Sequence, residues 1–313
     1  MLCSPRELGL SSDHQGIFIL PPDTPLNMPW EEVIIELDIK AHRGDLFGIY
    51  SIAREVAAFD KTPLKAPPMD VPELGKTPAK KLAKVTVEAG DMCPRFTARV
   101  IQNVKIGPSP LWMVLRLAAA GMRSINNVVD ISNYVMLEMG QPLHTFDFAH
   151  LHGETVIVRR ARAGERILTI DNTERSLTPN MLLICDADRP IAVAGVMGGS
   201  DSEVSDATTD VLIESASFAP GSVRRTSQAL GLRSEASMRF ERGIDPAYVG
   251  PALDRAAELM QQLAGGTVAR GVIDVYPQPE SLRLLSLRLG DVEGLLGARY
   301  APETIERTLA ALG

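Results

Sequence analysis

Three polar side chains are spaced so that they would share one face of a helix. Asn126, Asp130 and Asn133 stand at positions i, i+4 and i+7, which a helix of 3.6 residues per turn brings into line. His144 lies beyond Gly140 and a Gln-Pro pair, a sequence that ends a helix and forces a turn. Amides, a carboxylate and an imidazole arranged in this way could hydrogen-bond a ligand or orient a water molecule. The same pattern also fits a solvated helix face followed by a surface histidine, and the spacing leaves both interpretations open.

An acidic residue stands within a strongly apolar run. Glu214 follows three aliphatic residues at 211–213, and Phe218 ends the run. A carboxylate in a buried strand is costly unless it is paired or hydrogen-bonded, so burial would indicate a functional group. Because side chains alternate along a strand, an outward position on an edge strand fits the pattern equally well.

Three glycines, Gly195, Gly198 and Gly199, follow another apolar run. They would allow a ligand to approach the backbone closely, although many such strand ends are only turns. The helix and the distant acidic residue of a dinucleotide-binding fingerprint are missing.

Segment 233–245 mixes small residues with closely spaced charges, which is typical of a short helix that forms salt bridges with its neighbours. No Ser-His-Asp order, nucleophilic cysteine or metal-ligand spacing emerges, so no metal site is predicted.

Composition and charge limit the class of protein. The chain has 313 residues, of which 45% are hydrophobic and 23% charged, values typical of a globular protein with two or three domains. No apolar run is long enough to span a membrane, so we expect a cytoplasmic protein without membrane association. The net charge of −7 argues against binding of nucleic acid over a broad positively charged surface, although it does not exclude local contacts. The basic residues gather in three groups: Lys76, Lys80, Lys81 and Lys84; Arg159, Arg160 and Arg162; Arg224 and Arg225.

The elements that would position these residues follow from periodicity. Alternating or apolar runs predict strands over 84–89, 95–106, 154–161, 165–170, 181–185, 190–199 and 209–218. Helices are predicted over 46–59, 109–121, 122–139, 221–230 and 245–264. Runs 17–20 and 33–39 suggest isolated strands, and 286–313 suggests a strand followed by two helices. Five prolines between Thr62 and Pro78 exclude regular structure there and mark a boundary.

Four segments together resemble one known family. They are the run from Met122 to Asp147, the glycine-rich loop 194–199, the strand 212–218 and the segment 234–246. In combination they are similar to the β subunit of bacterial phenylalanine–tRNA ligases, and the resemblance extends over nearly the whole chain.

The resemblance implies a multidomain α+β or α/β chain. Residues 1–37 would be the C-terminal remnant of an OB-fold tRNA-binding domain, and 38–84 a helical segment with a Pro-rich linker from the first structural domain. Residues 85–278 would form a mixed-sheet editing domain. Residues 279–313 would begin a small helical domain with a DNA-binding-like fold, truncated at the chain end.

The resemblance also implies a function. The family attaches phenylalanine to its tRNA using ATP and magnesium, with both the ATP and phenylalanine sites on an α subunit. We therefore expect no cofactor in this chain, an α-subunit partner in a heterotetramer of two α and two β subunits, and tRNA. The editing domain of the family hydrolyses tyrosine wrongly esterified to phenylalanine tRNA. By matching motifs, His144 and Asn133 would act at the ester, and the pocket would be formed by Ser132, Gly195, Gly198, Glu214, Ser234 and Ala236.

Two other functions remain open at this point. The chain could be a structural or tRNA-binding part of the subunit without hydrolytic activity, or a free-standing tRNA-binding or trans-editing module. A buried polar constellation of Glu214, His144 and Asn133 would favour the hydrolase over a purely structural part.

Overall fold

The architecture, given by a computed structural model, is α+β. The structure describes residues 3–10, 14–20, 22, 24, 33–279, 281 and 284–313. Within these ranges the strands are β1 (Lys84–Val87), β2 (Arg95–Gln102), β3 (Leu143–Asp147), β4 (Thr155–Arg160), β5 (Arg166–Leu168), β6 (Glu174–Ser176), β7 (Leu182–Cys185), β8 (Pro190–Val193), β9 (Met197–Gly198), β10 (Val211–Ser217), β11 (Thr267–Val268) and β12 (Ile273–Val275).

The strands form two five-stranded sheets and a small hairpin. The first sheet has the order β1-β4-β7-β8-β9, and it is mixed because β1 and β4 run parallel whereas the other pairs are antiparallel. The second has the order β11-β2-β10-β3, with β12 also on β2, and is wholly antiparallel. Strands β5 and β6 make the hairpin. Each of the seven runs predicted as strands between residues 84 and 218 contains a strand, which confirms those predictions.

The helices within the described ranges surround these sheets. They are α1 (Ile49–Asp60), α2 (Ala79–Leu82), α3 (Leu111–Ala119), α4 (Asn127–Met139), α5 (Pro220–Leu230), α6 (Glu235–Phe240), α7 (Val249–Ala264), α8 (Leu289–Leu296) and α9 (Pro302–Leu312). Among the described residues, no helix is both long and apolar enough to cross a membrane.

The second sheet separates two hydrophobic cores. Along β10, Val211 and Ile213 belong to the core that contains the buried faces of α4 and α7. Leu212 and Ala216 belong to the other core, which lies between the two sheets. Since side chains alternate along a strand, Glu214 projects toward the core between the sheets. All seven residues of β10 are buried.

Several sequence predictions were wrong in detail. The helix predicted over 122–139 begins only at Asn127, and Ile125, which lies before it, is 57% exposed. Residues 17–20, 33–39 and 286–288 form no strand, and Val33 and Ile35 are largely exposed. Within the described part of the chain, no strand pairs with these short apolar runs to share backbone hydrogen bonds. Of the predicted OB-fold segment, residues 1, 2, 11–13, 21, 23 and 25–32 lie outside the described residues.

Candidate functional site

A cavity of about 270 Å³ lies beside the second sheet, between β3, β10, the glycine-rich loop and α6. Its walls are largely apolar and include Met136, Leu143, Ile184, Val193, Phe218 and Phe240. Of all the residues that line it, Ile170 and Glu235 are the exposed ones, so they mark its mouth. The cavity combines an apolar interior with a few polar groups, as small-molecule sites generally do.

Seven of the eight residues expected at the site line this one cavity. They are Asn133, His144, Gly195, Gly198, Glu214, Ser234 and Ala236. Ser132 does not line it. Its side chain is buried in α4, where the hydroxyl donates to the Val128 carbonyl at 3.4 Å. Consecutive helix residues point about 100° apart, so Asn133 can face the cavity while Ser132 faces away.

Strand β3 places His144 beside the carboxyl of Glu214. The sequence predicted a turn that presents His144, but the residue lies within β3, directly opposite Glu214 in the antiparallel pairing with β10. Opposed residues of an antiparallel pair share a face, with Cβ atoms roughly 5 Å apart. The two side chains therefore project side by side from the sheet into the cavity.

The Glu214 carboxyl is buried without a hydrogen bond at one oxygen. The residue is only 5% exposed, and its Oε2 has no hydrogen-bond partner among the described residues. Because β10 is an inner strand of its sheet, the edge-strand interpretation is excluded. Burial raises the pKa of Glu214 to about 8, since desolvation disfavours the charged form. At neutral pH most of this carboxyl is protonated, so it can both donate and accept a hydrogen bond.

His144 is likewise held neutral by burial. Its Nε2 has no hydrogen-bond partner among the residues described, and its ring packs edge-on against Phe146, with ring centres 4.6 Å apart. Burial lowers the pKa of His144 to about 4. A neutral imidazole can accept or donate a hydrogen bond, but it is a weak base for abstracting a proton at neutral pH.

The glycine-rich loop makes room for both the cavity and the histidine. A Cβ on Gly198 would lie 2.6 Å from His144 Cε1, so the imidazole occupies the space that a side chain would need. Gly195 has φ +69, and a Cβ there would lie 2.9 Å from Phe218 Cδ2 and 3.1 Å from Phe240 Cδ2. Gly198 is therefore required for packing, and Gly195 is required both for packing and for its backbone conformation.

Helix α6 is fixed to this loop by its N-cap residue. The Ser234 hydroxyl donates to the Val196 carbonyl at 2.7 Å. It also accepts from the Ser237 N–H at 3.0 Å, as the N-cap of a capping box. Ala236, the second residue of the helix, contributes a small side chain to the wall. The Ser234 hydroxyl thus has one donor and one acceptor contact within the protein itself.

The polar stripe of α4 divides into structural and cavity-facing residues. Asn126 is the N-cap, whose side chain accepts from the Val129 N–H at 2.9 Å. Asp130 is fully buried and accepts from the hydroxyls of Ser109 and Ser124 and from the Ile125 N–H. Only Asn133 of the three predicted polar residues lines the cavity.

Sequence reasoning missed the apolar walls of the cavity. Phe218 and Phe240 meet edge to face with ring centres 4.9 Å apart, and Pro142 and Leu143 complete the side next to His144. Nothing in their spacing distinguishes such residues from ordinary core. The one available signal was that Phe218 and Pro142 adjoin the strands that carry Glu214 and His144.

Residues 92–265 match the family model described as the B3/4 domain. The chain is 50% identical over 307 residues to the phenylalanine–tRNA ligase β subunit of Geobacter sulfurreducens, covering 96% of this chain and 38% of that protein. It is 48% identical over 322 residues to the subunit of the same name from Symbiobacterium thermophilum, covering 100% of this chain and 36% of that one. The corresponding Moorella thermoacetica subunit is 49% identical over 328 residues, covering 100% and 40%. The chain thus spans about two fifths of the length of these relatives.

Among solved structures, an N-terminal fragment of the phenylalanyl-tRNA synthetase β subunit from Pyrococcus horikoshii aligns with 87% of this chain and 74% of its own. The TM-score is 0.44 and the sequence identity is 12%.

Proposed function

The chain belongs to the B3/4 domain family, and from that premise we propose that it acts as part of a phenylalanine–tRNA ligase β subunit. In that role it would assist the ATP-dependent attachment of phenylalanine to its tRNA, together with an α subunit. The similarity of the whole chain to subunits of that name supports this assignment. The proposed partners are the α subunit and tRNA.

The specific activity that we propose for this region is hydrolysis of tyrosine wrongly esterified to phenylalanine tRNA. The observation that carries the proposal is the buried Glu214 carboxyl, which lacks a partner at Oε2 inside an apolar cavity. A pocket that selects phenylalanine rejects an added hydroxyl poorly, whereas a site that hydrogen-bonds the hydroxyl strongly rejects a ligand lacking it. Tyrosine would satisfy the carboxyl, and phenylalanine would leave it unpaired at a cost of about 1–3 kcal/mol.

The cavity walls suit an aromatic side chain. Phe218 and Phe240 supply flat apolar surface, and ring-to-ring contacts add to the free energy gained by burial. Gly195 and Ala236 keep the cavity wide enough for a ring. Ser234 would contribute mainly by fixing α6, because its hydroxyl already bonds Val196 and Ser237. Ser132 is assigned to helix packing and not to substrate contact.

Asn133 and His144 would act at the ester. In the hydrolysis, a water oxygen bonds to the acyl carbon and the bond from that carbon to the ribose oxygen breaks. One proton of the water ends on the ribose oxygen, so the products are tyrosine and tRNA. With its pKa lowered to about 4, His144 serves best by hydrogen-bonding and orienting the water, and Asn133 by holding the ester. No covalent intermediate with the protein is required.

Deacylation of tyrosyl- and phenylalanyl-tRNA tests the proposal. The purified chain, alone and combined with an α subunit, should hydrolyse the tyrosyl ester faster than the phenylalanyl ester. Glu214→Ala should lose most of that preference, because no carboxyl remains to hydrogen-bond the phenol, whereas Glu154→Ala, a surface change, should keep it. Equal rates for both esters with the unaltered chain, or unchanged preference in Glu214→Ala, would overturn the editing assignment. Absence of any hydrolysis would favour a structural or tRNA-binding role.

A further inference from the structure

A second cavity, of about 530 Å³, is lined by the C-terminal half of α5, by the residues that connect α5 to α6 and by the residues that follow α6, and it is rich in arginine. We call it the arginine cavity. It is lined by Arg224, Arg233 and Arg242, by one acidic residue, Glu241, and by the neutral residues Ala41, Ser227, Gln228, Gly231 and Leu232. Three cations against one anion give an excess of positive charge, although the chain as a whole carries −7.

The arginines are largely free to bind an anion. Arg224 and Arg233 are exposed, and neither forms a salt bridge within the described part of the chain. The Arg242 guanidinium donates hydrogen bonds to the Met238 carbonyl at 2.6 Å and to the Glu241 carboxylate at 3.2 Å, and it lies over the ring of Phe47. Its buried Nε has no hydrogen-bond partner among the described residues. A guanidinium that is positioned but not fully paired is suited to a phosphate oxygen.

The C-terminus of α5 opposes an anion only weakly. Carbonyl groups at a helix C-terminus carry partial negative charge. Here the Gln228 carbonyl accepts from the Gly231 N–H, and the Ser227 carbonyl accepts from the Leu232 N–H. The end of the helix is therefore capped from within, and the arginine side chains dominate the local charge.

The arginine cavity lies next to the mouth of the proposed editing cavity. Ser234 lines the editing cavity and Arg233 lines the arginine cavity, so one peptide bond joins the two linings. Glu235, at the mouth, pairs with Arg239 at 2.7 Å, which offsets its charge.

We propose that the arginine cavity binds phosphodiester groups of the RNA strand whose esterified 3′ end enters the editing cavity. The proposal rests on the proposed function, since it names where the rest of that substrate lies. Arg224 and Arg233 supply the exposed contacts, and Arg242 supplies a fixed guanidinium at the cavity wall. Arginine contacts to phosphates give affinity that depends on salt but not on base sequence.

Binding of unacylated RNA tests this independently of hydrolysis. The probes are a fluorescent single-stranded RNA ending in CCA and a full unacylated tRNA, titrated with the chain at several salt concentrations. The double variant Arg224→Gln/Arg233→Gln should weaken binding roughly tenfold and lower the slope of log K against log salt by about 1.4, for two lost phosphate contacts on a single strand. The matched control, Arg160→Gln/Arg299→Gln, removes the same charge from exposed, ion-paired arginines elsewhere.

The outcomes separate this inference from the proposed function. A loss confined to Arg224→Gln/Arg233→Gln, with the control unchanged, supports the arginine cavity. Equal losses in the control, an unchanged slope, or no RNA binding by the unaltered chain would overturn it. Arginine-dependent binding of inorganic phosphate alone, with RNA affinity unchanged, would also overturn it. Loss of tyrosine preference in Glu214→Ala combined with unaltered RNA binding in the arginine variant would refute the arginine cavity and leave the editing proposal standing.

Discussion

Replacing Glu214 with glutamine measures whether the buried carboxyl is neutral in the folded protein. The substitution keeps the length and shape of the side chain but removes its titrating proton. Burial raises the pKa of Glu214 to about 8, against an ordinary value of 4.5 for an accessible glutamate. Between these two pH values the folded state holds a proton that the unfolded chain has released.

The sign and the magnitude of the effect follow from this difference. Because the folded state binds the additional proton, the contribution of Glu214 to the free energy of unfolding must decrease as pH rises through the window. Relative to Glu214→Gln, the decrease should be about 1.4 kcal/mol per pH unit, starting near pH 5 and levelling off above about pH 8. The total should be about 3–5 kcal/mol. Below about pH 4 both side chains are neutral and the difference between the two proteins should be constant.

Chemical denaturation of both proteins at a series of pH values gives the required difference. Glu154→Gln, which changes an exposed glutamate, is the matched control for the substitution itself. A difference between the unaltered chain and Glu214→Gln that does not vary from about pH 5 to pH 8 would mean that the carboxyl ionises normally in the folded state. The argument that a buried neutral carboxyl recognises the phenol would then fail.

Three further substitutions or titrations address the remaining contacts. Gly198→Ala should displace the His144 imidazole, because the new Cβ would lie 2.6 Å from Cε1. The free energy of unfolding should fall by about 1–3 kcal/mol, and an unchanged denaturation midpoint would contradict the packing. The His144 ring should titrate by NMR near pH 4, since burial lowers its pKa to about 4 from an ordinary 6.5. The contribution of His144 to the free energy of unfolding should therefore decrease as pH falls from 6.5 toward 4, opposite in sign to that of Glu214, and a ring that titrates near 6.5 would refute the burial argument. Ser234→Ala should lower the free energy of unfolding by about 1 kcal/mol by removing the α6 cap, whereas Ser234→Thr should retain it; equal losses in the two variants would show that the hydroxyl is not the stabilising group.

The regular strands could be predicted because their pattern is local. Strands β2 and β10 lie within predicted runs, since each contains consecutive β-branched and aliphatic residues, at 100–101 and at 211–213. The C-terminal end of α4 follows equally from local chemistry, with Gly140 in the left-handed region. The start of that helix was predicted too early because the apolar Ile125 fits the periodicity yet lies outside the helix.

The burial of the site could not be predicted from periodicity. Every residue of β10 is buried because both faces of its sheet are covered, so alternation carries no information about which way Glu214 points. Strand β3 was missed because its five residues follow a Gln-Pro turn and mix polar with apolar types. The pairing of His144 with Glu214 joins residues 70 positions apart, and only the register of the folded sheet establishes it. Ser132 was assigned by family motif alone, and the helix turns it away from the cavity.

The division of β10 between two cores bears on how the proposed substrate preference could change. Odd-numbered positions such as Val211 and Ile213 pack with the helices, whereas Leu212, Glu214 and Ala216 face the space between the sheets. Of these three, Glu214 lines the cavity, whereas Leu212 and Ala216 are core residues that are 0% and 1% exposed. A change at position 214 can therefore alter the proposed recognition of the ester while the core residues on both sides of it preserve the fold. A library randomised at 214 alone should yield folded proteins more often than one randomised at 212, 214 and 216, so a different amino-acid preference could arise from a single position of the strand.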